Sequence, residues 1–155
     1  MITNDVQYRN TKTLYSRFKT AVAGLERSFD DSTDQKLHQL QIDAAQAQAD
    51  DLAQEISDYE QLKSGETTSF TADSLADVAT LLIQARVARG WAQRQLAEEL
   101  GIAEQQIQRY EANGYATASL TRLCEIADAL GIQIRGTAHL ATEPTAARNG
   151  PTSAA

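Results

Sequence analysis

Cysteine occurs once in these 155 residues, proline twice and glycine eight times. A lone cysteine, Cys124, excludes an internal disulfide. So few built-in breaks favour long helices over a many-stranded sheet, whose turns would demand more of them. Aromatic residues are only 6% of the chain, against 42% hydrophobic overall, which suits a small helical core. No apolar run reaches the roughly 18 residues of a membrane-spanning helix. The opening stretch Met1–Lys12 is polar and lacks the apolar centre of a signal peptide. His38 and His139 stand apart, and no Cys/His/Asp/Glu cluster has metal-ligand spacing. Glycine-rich phosphate loops and nucleophile motifs are missing too. These absences predict a cytoplasmic protein that is not an enzyme and needs no cofactor or metal.

Positive charge is also short: the net charge is −7. Alone this argues against a polyanionic partner. The distribution changes that. Met1–Ser74 carries 7 basic and 13 acidic residues, whereas Leu75–Gly136 carries 6 and 7. The acid lies almost wholly in the first half. The second half is near neutral, so any DNA affinity it has should be modest per monomer and should depend on dimerisation.

The fold expected is all-α. Residues 1–63 read as a long helical hairpin. Thr3 or Asn4 can cap a first helix reaching Phe29, with Val6, Leu14, Phe18, Val22 and Leu25 on its apolar face. Asp30–Thr33 form a polar break. A second helix follows from Asp34 to about Leu62, with a seam of Ile42, Ala45, Ala49, Leu52, Ile56 and Tyr59 at steps of 3 and 4. Two such helices bury one narrow stripe each, so the hairpin needs a further partner: a second copy, the rest of the chain or another protein. Residues 64–73 are rich in Ser, Thr and Gly and read as a linker, with Phe70 a possible anchor. Residues 74–141 form a second helical domain, and 142–155 have the composition of a disordered tail.

Within 74–141, Ser74 and Asp77 suggest a capping box. Leu75, Val78, Leu82 and Ala85 give the first helix an apolar face that ends at Gly90. Helices follow over Gln93–Leu100, from Ala103 through Tyr110, and over Ser119–Leu130 with Leu120, Leu123, Ala127 and Leu130 inward. Residues Ile132–Leu140 can add a fifth short element. Cys124 beside Leu123 reads as a buried structural thiol, and Trp91 as a packing residue. The compact feature is QRQLAEELGI followed by Ala103–Tyr110. A small residue, Ala97, stands where two short helices cross, Gly101 makes the turn, and Leu96, Leu100, Ile102 and Ile107 fill the corner. That is what a helix-turn-helix requires.

The stretch ARVARGWAQRQLAEELGIAEQQIQRYEANGYATASLTRLCEIADALGI resembles the Xre family, the Cro/CI-type helix-turn-helix domains of phage repressors and bacterial regulators. The likeness covers about 60 residues and implies a five-helix lambda-repressor-like domain. An acidic helical half beside such a domain resembles, in addition, HigA-like antitoxins. The resemblance implies that Gln93 bonds a phosphate or braces the first reading residue, with Arg94 beside it on the DNA side. It places Ala103, Glu104, Gln105, Gln108 and Arg109 on the outward face of the recognition helix, where arginine suits guanine, glutamine suits adenine and glutamate suits cytosine. It implies a salt bridge between Arg86 and Glu111. Asn113, Tyr115, Thr117 and Ser119 would meet phosphate from the following loop. Two departures are Ala92 and Ala103, which stand where the family often has a capping residue.

The function expected is a sequence-specific regulator, a repressor binding a palindromic operator in double-stranded DNA as a homodimer. The alternative is the antitoxin of a type II toxin–antitoxin pair, autoregulating its operon and neutralising a RelE-like toxin through the helical half.

Overall fold

The computed structural model describes residues 1–28, 34–137 and 139, and among these it holds six α-helices and no strand. Two long helices, α1 (Asp5–Arg27) and α2 (Gln35–Lys63), run antiparallel. Four shorter ones follow: α3 (Asp77–Ala88), α4 (Gln93–Glu99), α5 (Glu104–Ala112) and α6 (Leu120–Ala129). Among the described residues no helix is long and apolar enough to cross a membrane.

Asn4 caps α1 by accepting the Gln7 N–H at 2.9 Å. Asp34 caps α2, accepting from the Lys36 and Leu37 N–H groups. The α2 seam is as its period dictates: Ala49 is fully buried, Tyr59 nearly so, and Ile42, Ala45, Leu52 and Ile56 are half-buried. His38 extends it one turn earlier.

The face of α1 keeps Phe18, Val22 and Leu25 of the expected stripe but not Val6 and Leu14. Val6 and Leu14 are 57% and 43% exposed. The inward positions are Tyr8, Thr11, Tyr15, Phe18, Val22 and Leu25, again at steps of 3 and 4. A tyrosine can pack its ring and leave its hydroxyl at the edge. Tyr8 does so: it stacks on Tyr59 at 5.2 Å while its hydroxyl donates to Glu60. The expected break at Asp30–Thr33 and the tail lie outside the described residues.

In the second half, α3 is the central helix, with Leu81, Leu82, Ile83, Ala85, Arg86 and Val87 all buried. Its start differs from a capping box. The Asp77 carboxylate accepts from both the N–H and the hydroxyl of Ser74, each at 2.8 Å, so the serine donates instead of capping. The helix consequently opens at Asp77 and leaves Leu75 outside it, 92% exposed.

On α6 the buried stripe is Ile126, Ala127 and Leu130, with Leu123 half-buried. Leu120, in the first turn, lies beyond the core and is 76% exposed. Cys124 is exposed rather than buried; one residue beyond Leu123 turns it about 100° around the helix. The fifth helix is absent over residues 132–137, which carry no regular structure, although Ile132 still packs on the core.

One hydrophobic cluster serves both halves. Ile2 and Tyr59 from the hairpin join Leu82, Leu96, Ile107, Ile126 and Leu130, and Phe70 packs against it from residues 64–73.

Candidate nucleic-acid interface

The corner between α4 and α5 is held from inside. Leu96, Ala97 and Ile107 are buried to within 1%, and Leu100 and Ile102 are half-buried around them. Gly101 takes φ +64°, a left-handed conformation that costs an L side chain about 1 kcal/mol or more. The turn lets the Ile102 N–H bond back to Ala97 at 3.0 Å. Neither helix has a side-chain cap. Ala92 and Ala103 both adopt the extended cap backbone but carry no acceptor. At α4 the return half of a capping box survives, because Gln95 Oε1 accepts the Ala92 N–H at 2.8 Å.

Arg86 ties this corner to the rest of the molecule. Its Nε and Nη2 donate to the two carboxylate oxygens of Glu111 at 2.6 and 2.7 Å, with both side chains almost fully buried. Nη1 donates to the Trp91 carbonyl and Nη2 also to the Thr3 carbonyl, each at 2.7 Å. The guanidinium therefore joins α3, the turn before α4, the end of α5 and the strand of chain before α1. Gln93 belongs to the same network: its Nε2 donates to Glu111 at 2.7 Å. One N–H of its side-chain amide thus points inward and braces α4 against α5.

The outward face of α5 is polar. Ala103, Gln105, Gln108 and Arg109 are exposed and Glu104 is half-buried. Gln108 donates to Glu104 at 3.0 Å. Gln105 and Arg109 make no side-chain hydrogen bond among the described residues, so both functional groups face solvent unengaged. Arg94 is exposed on α4 and bonded to Glu98 at 2.8 Å, which raises its pKa.

The loop after α5 divides. Asn113 is exposed and donates to Thr117 at 3.0 Å; Ser119 is exposed and caps α6 through the Arg122 N–H. Tyr115 is not on this surface. It is 3% exposed, stacks on Tyr110 at 6.0 Å, and holds φ +58°. Its hydroxyl has no hydrogen-bond partner among the described residues. Burial, with the nearby Glu111 carboxylate second, pushes its pKa up. Apolar ring burial outweighs surface placement for a tyrosine in a short loop.

Two residues before α1 support the interface in ways that their local sequence does not mark. Ile2 is 3% exposed in the shared core, and Thr3 bonds Arg86. Nothing local marks them, since their partners lie some 80 residues away. An open groove of about 580 Å³ separates this N-terminal segment from the reading helix, with Asn4, Asp5 and Gln7 on one wall and Gln93, Glu104 and Gln108 on the other. Among the described residues no group of His, Cys, Asp and Glu could hold a metal ion.

The family model described as Helix-turn-helix matches residues 82–136. No curated protein and no solved structure matches the chain.

Proposed function

Starting from the Cro/CI-type helix-turn-helix domain of residues 82–136, a domain of DNA-binding regulators, we propose that the protein is a repressor that reads a palindromic operator as a homodimer. The observation that carries this is the unengaged pair Gln105 and Arg109, held outward on α5 by a corner packed through Leu96, Ala97, Leu100, Ile102 and Ile107. Arg109 suits the O6/N7 edge of guanine and Gln105 the N6/N7 edge of adenine. Gln108 and Glu104 form a coupled pair beside them, and Asn113 and Ser119 lie where a phosphate backbone would pass. The Leu75–Gly136 segment carries a net −1, so one head gains little from phosphates. Two heads on half-sites about 34 Å apart supply what one lacks.

The test is titration of the full chain against DNA upstream of its own gene, with Arg109→Ala and Gln105→Ala. Each lost bidentate contact is worth about 1–3 kcal/mol, roughly 5- to 150-fold. If both variants bind every duplex as the parent does, the reading-head assignment fails.

One observation favours a second reading, the antitoxin. The outer face of α2 carries three Gln–Asp pairs, Gln39–Asp43, Gln46–Asp50 and Gln54–Asp58, bonded at 2.6–2.8 Å. Such a face complements a basic RelE-like ribonuclease. Co-purification of the full chain with the product of an adjacent gene, lost in Asp43→Asn/Asp50→Asn/Asp58→Asn, would establish it; no capture of that product removes it.

A further inference from the structure

We propose that α1 is a second DNA-contacting element, whose cationic outer face engages backbone phosphates beside the bases read by α5. The inference rests on the DNA-binding function proposed above and adds a surface to it.

The two hairpin helices have opposite charge. From Val6 to Leu25 the chain has four cations, Arg9, Lys12, Arg17 and Lys19, and no acid. Taken whole, α1 carries a net +3, whereas α2, with Asp43, Asp50, Asp51, Glu55, Asp58 and Glu60 against two lysines, carries −4. Charge on α1 is not consumed by α2. Lys12 is shared with Tyr8 and Glu60, but Arg9, Arg17 and Lys19 are exposed and make no ion pair among the described residues. The positions between them on the outward side, Thr13, Ser16 and Thr20, are exposed hydroxyls. Thr13 and Thr20 donate back to the Arg9 and Ser16 carbonyls, so the cations, with Ser16, are the groups left to meet phosphate.

Placement makes duplex DNA the fitting partner. The first turn of α1 forms one wall of the groove whose other wall holds Glu104 and Gln108 of the reading helix. The cationic helix thus starts at the edge of the proposed base-reading face. Arg9 to Lys19 spans about 15 Å along the axis, the length of several phosphates. The reading head is deficient in the same charge that α1 holds in excess.

The experiment uses the full chain and a 40-base-pair random-sequence duplex, with affinity measured by fluorescence anisotropy between about 50 and 200 mM KCl. Three lost phosphate contacts should flatten the slope of log K against log salt by about 2.7, at about 0.9 per contact. Arg9→Gln/Arg17→Gln/Lys19→Gln should show that loss. Its discrimination between upstream and random DNA should stay as in the parent, and Arg9→Lys/Arg17→Lys should leave the slope unchanged. Circular dichroism checks that the helices persist; Thr13→Glu/Thr20→Glu, which adds repulsion to the same face, gives an independent variant expected to weaken binding to every duplex. If the parent binds DNA and neither variant changes slope or affinity, α1 is not a DNA surface and the repressor reading stands. A parent that binds no duplex overturns both proposals.

Discussion

Replacing Glu111 with alanine should be among the most destabilising single changes available in this chain. The carboxylate accepts three hydrogen bonds, two from Arg86 and one from Gln93, at 2.6–2.7 Å. Removing it leaves a guanidinium that is 2% exposed without a counter-charge. Breaking a buried pair from one side costs about 3–5 kcal/mol. Arg86 keeps the carbonyls of Trp91 and Thr3, which places the loss near the lower end, about 3 kcal/mol. For a chain of this size that lowers the melting temperature by roughly 6–12 °C. Urea unfolding followed by circular dichroism at neutral pH measures it. Arg86→Met/Glu111→Leu removes both charges and fills the space with apolar atoms, so the double variant should be markedly more stable than the sum of the single losses. The reasoning is refuted if Glu111→Ala costs less than about 1 kcal/mol, or if the two losses simply add.

Ala103→Ser should stabilise the chain by about 1 kcal/mol, because the residue already holds the cap backbone of α5 and lacks only the acceptor; a rise in the urea midpoint checks it. Tyr115→Phe removes a buried hydroxyl with no partner among the described residues, so it should be neutral or stabilising by up to about 1 kcal/mol in the same assay. Stability should fall on the alkaline side. Burial, and second the hydrogen bond to Asp5, push the Tyr59 pKa from 10.0 up to about 12. The folded state therefore holds a proton that the unfolded chain releases: the contribution is intact below pH 10 and drains away as pH rises toward 12. Urea midpoints across that window should decline less steeply in Tyr59→Phe. Finally, Cys124 should react with a thiol reagent in the native protein without denaturant, at a rate close to that of the unfolded chain.

The helices and the reading corner were legible because their signals are local. Caps, steps of 3 and 4, and glycines at forced left-handed turns all act within a few residues. The inward face of α1 was less so. Its two tyrosines, Tyr8 and Tyr15, do the packing that an aliphatic count assigns to Val6 and Leu14. Leu75, Leu120 and Cys124 show the complementary error: apolar or thiol side chains at element edges face outward when the core ends before them. The polar neighbours of Tyr115 suggest a surface loop, whereas its ring is buried against Tyr110. The inward turn of Gln93 follows from a carboxylate 18 residues later. The opposite charges of α1 and α2 are present in the sequence but are hidden in the net charge of the first 74 residues.

The shared core has an evolutionary consequence. A domain that borrows Ile2 and Tyr59 for its interior, and a Thr3 carbonyl for its central arginine, is not a cassette that recombination can lift out intact. Grafted onto another chain, residues 74–136 would carry an apolar scar where the hairpin had been. Gene fusion and domain shuffling should therefore transmit the two halves together, and divergence in one should be constrained by the other.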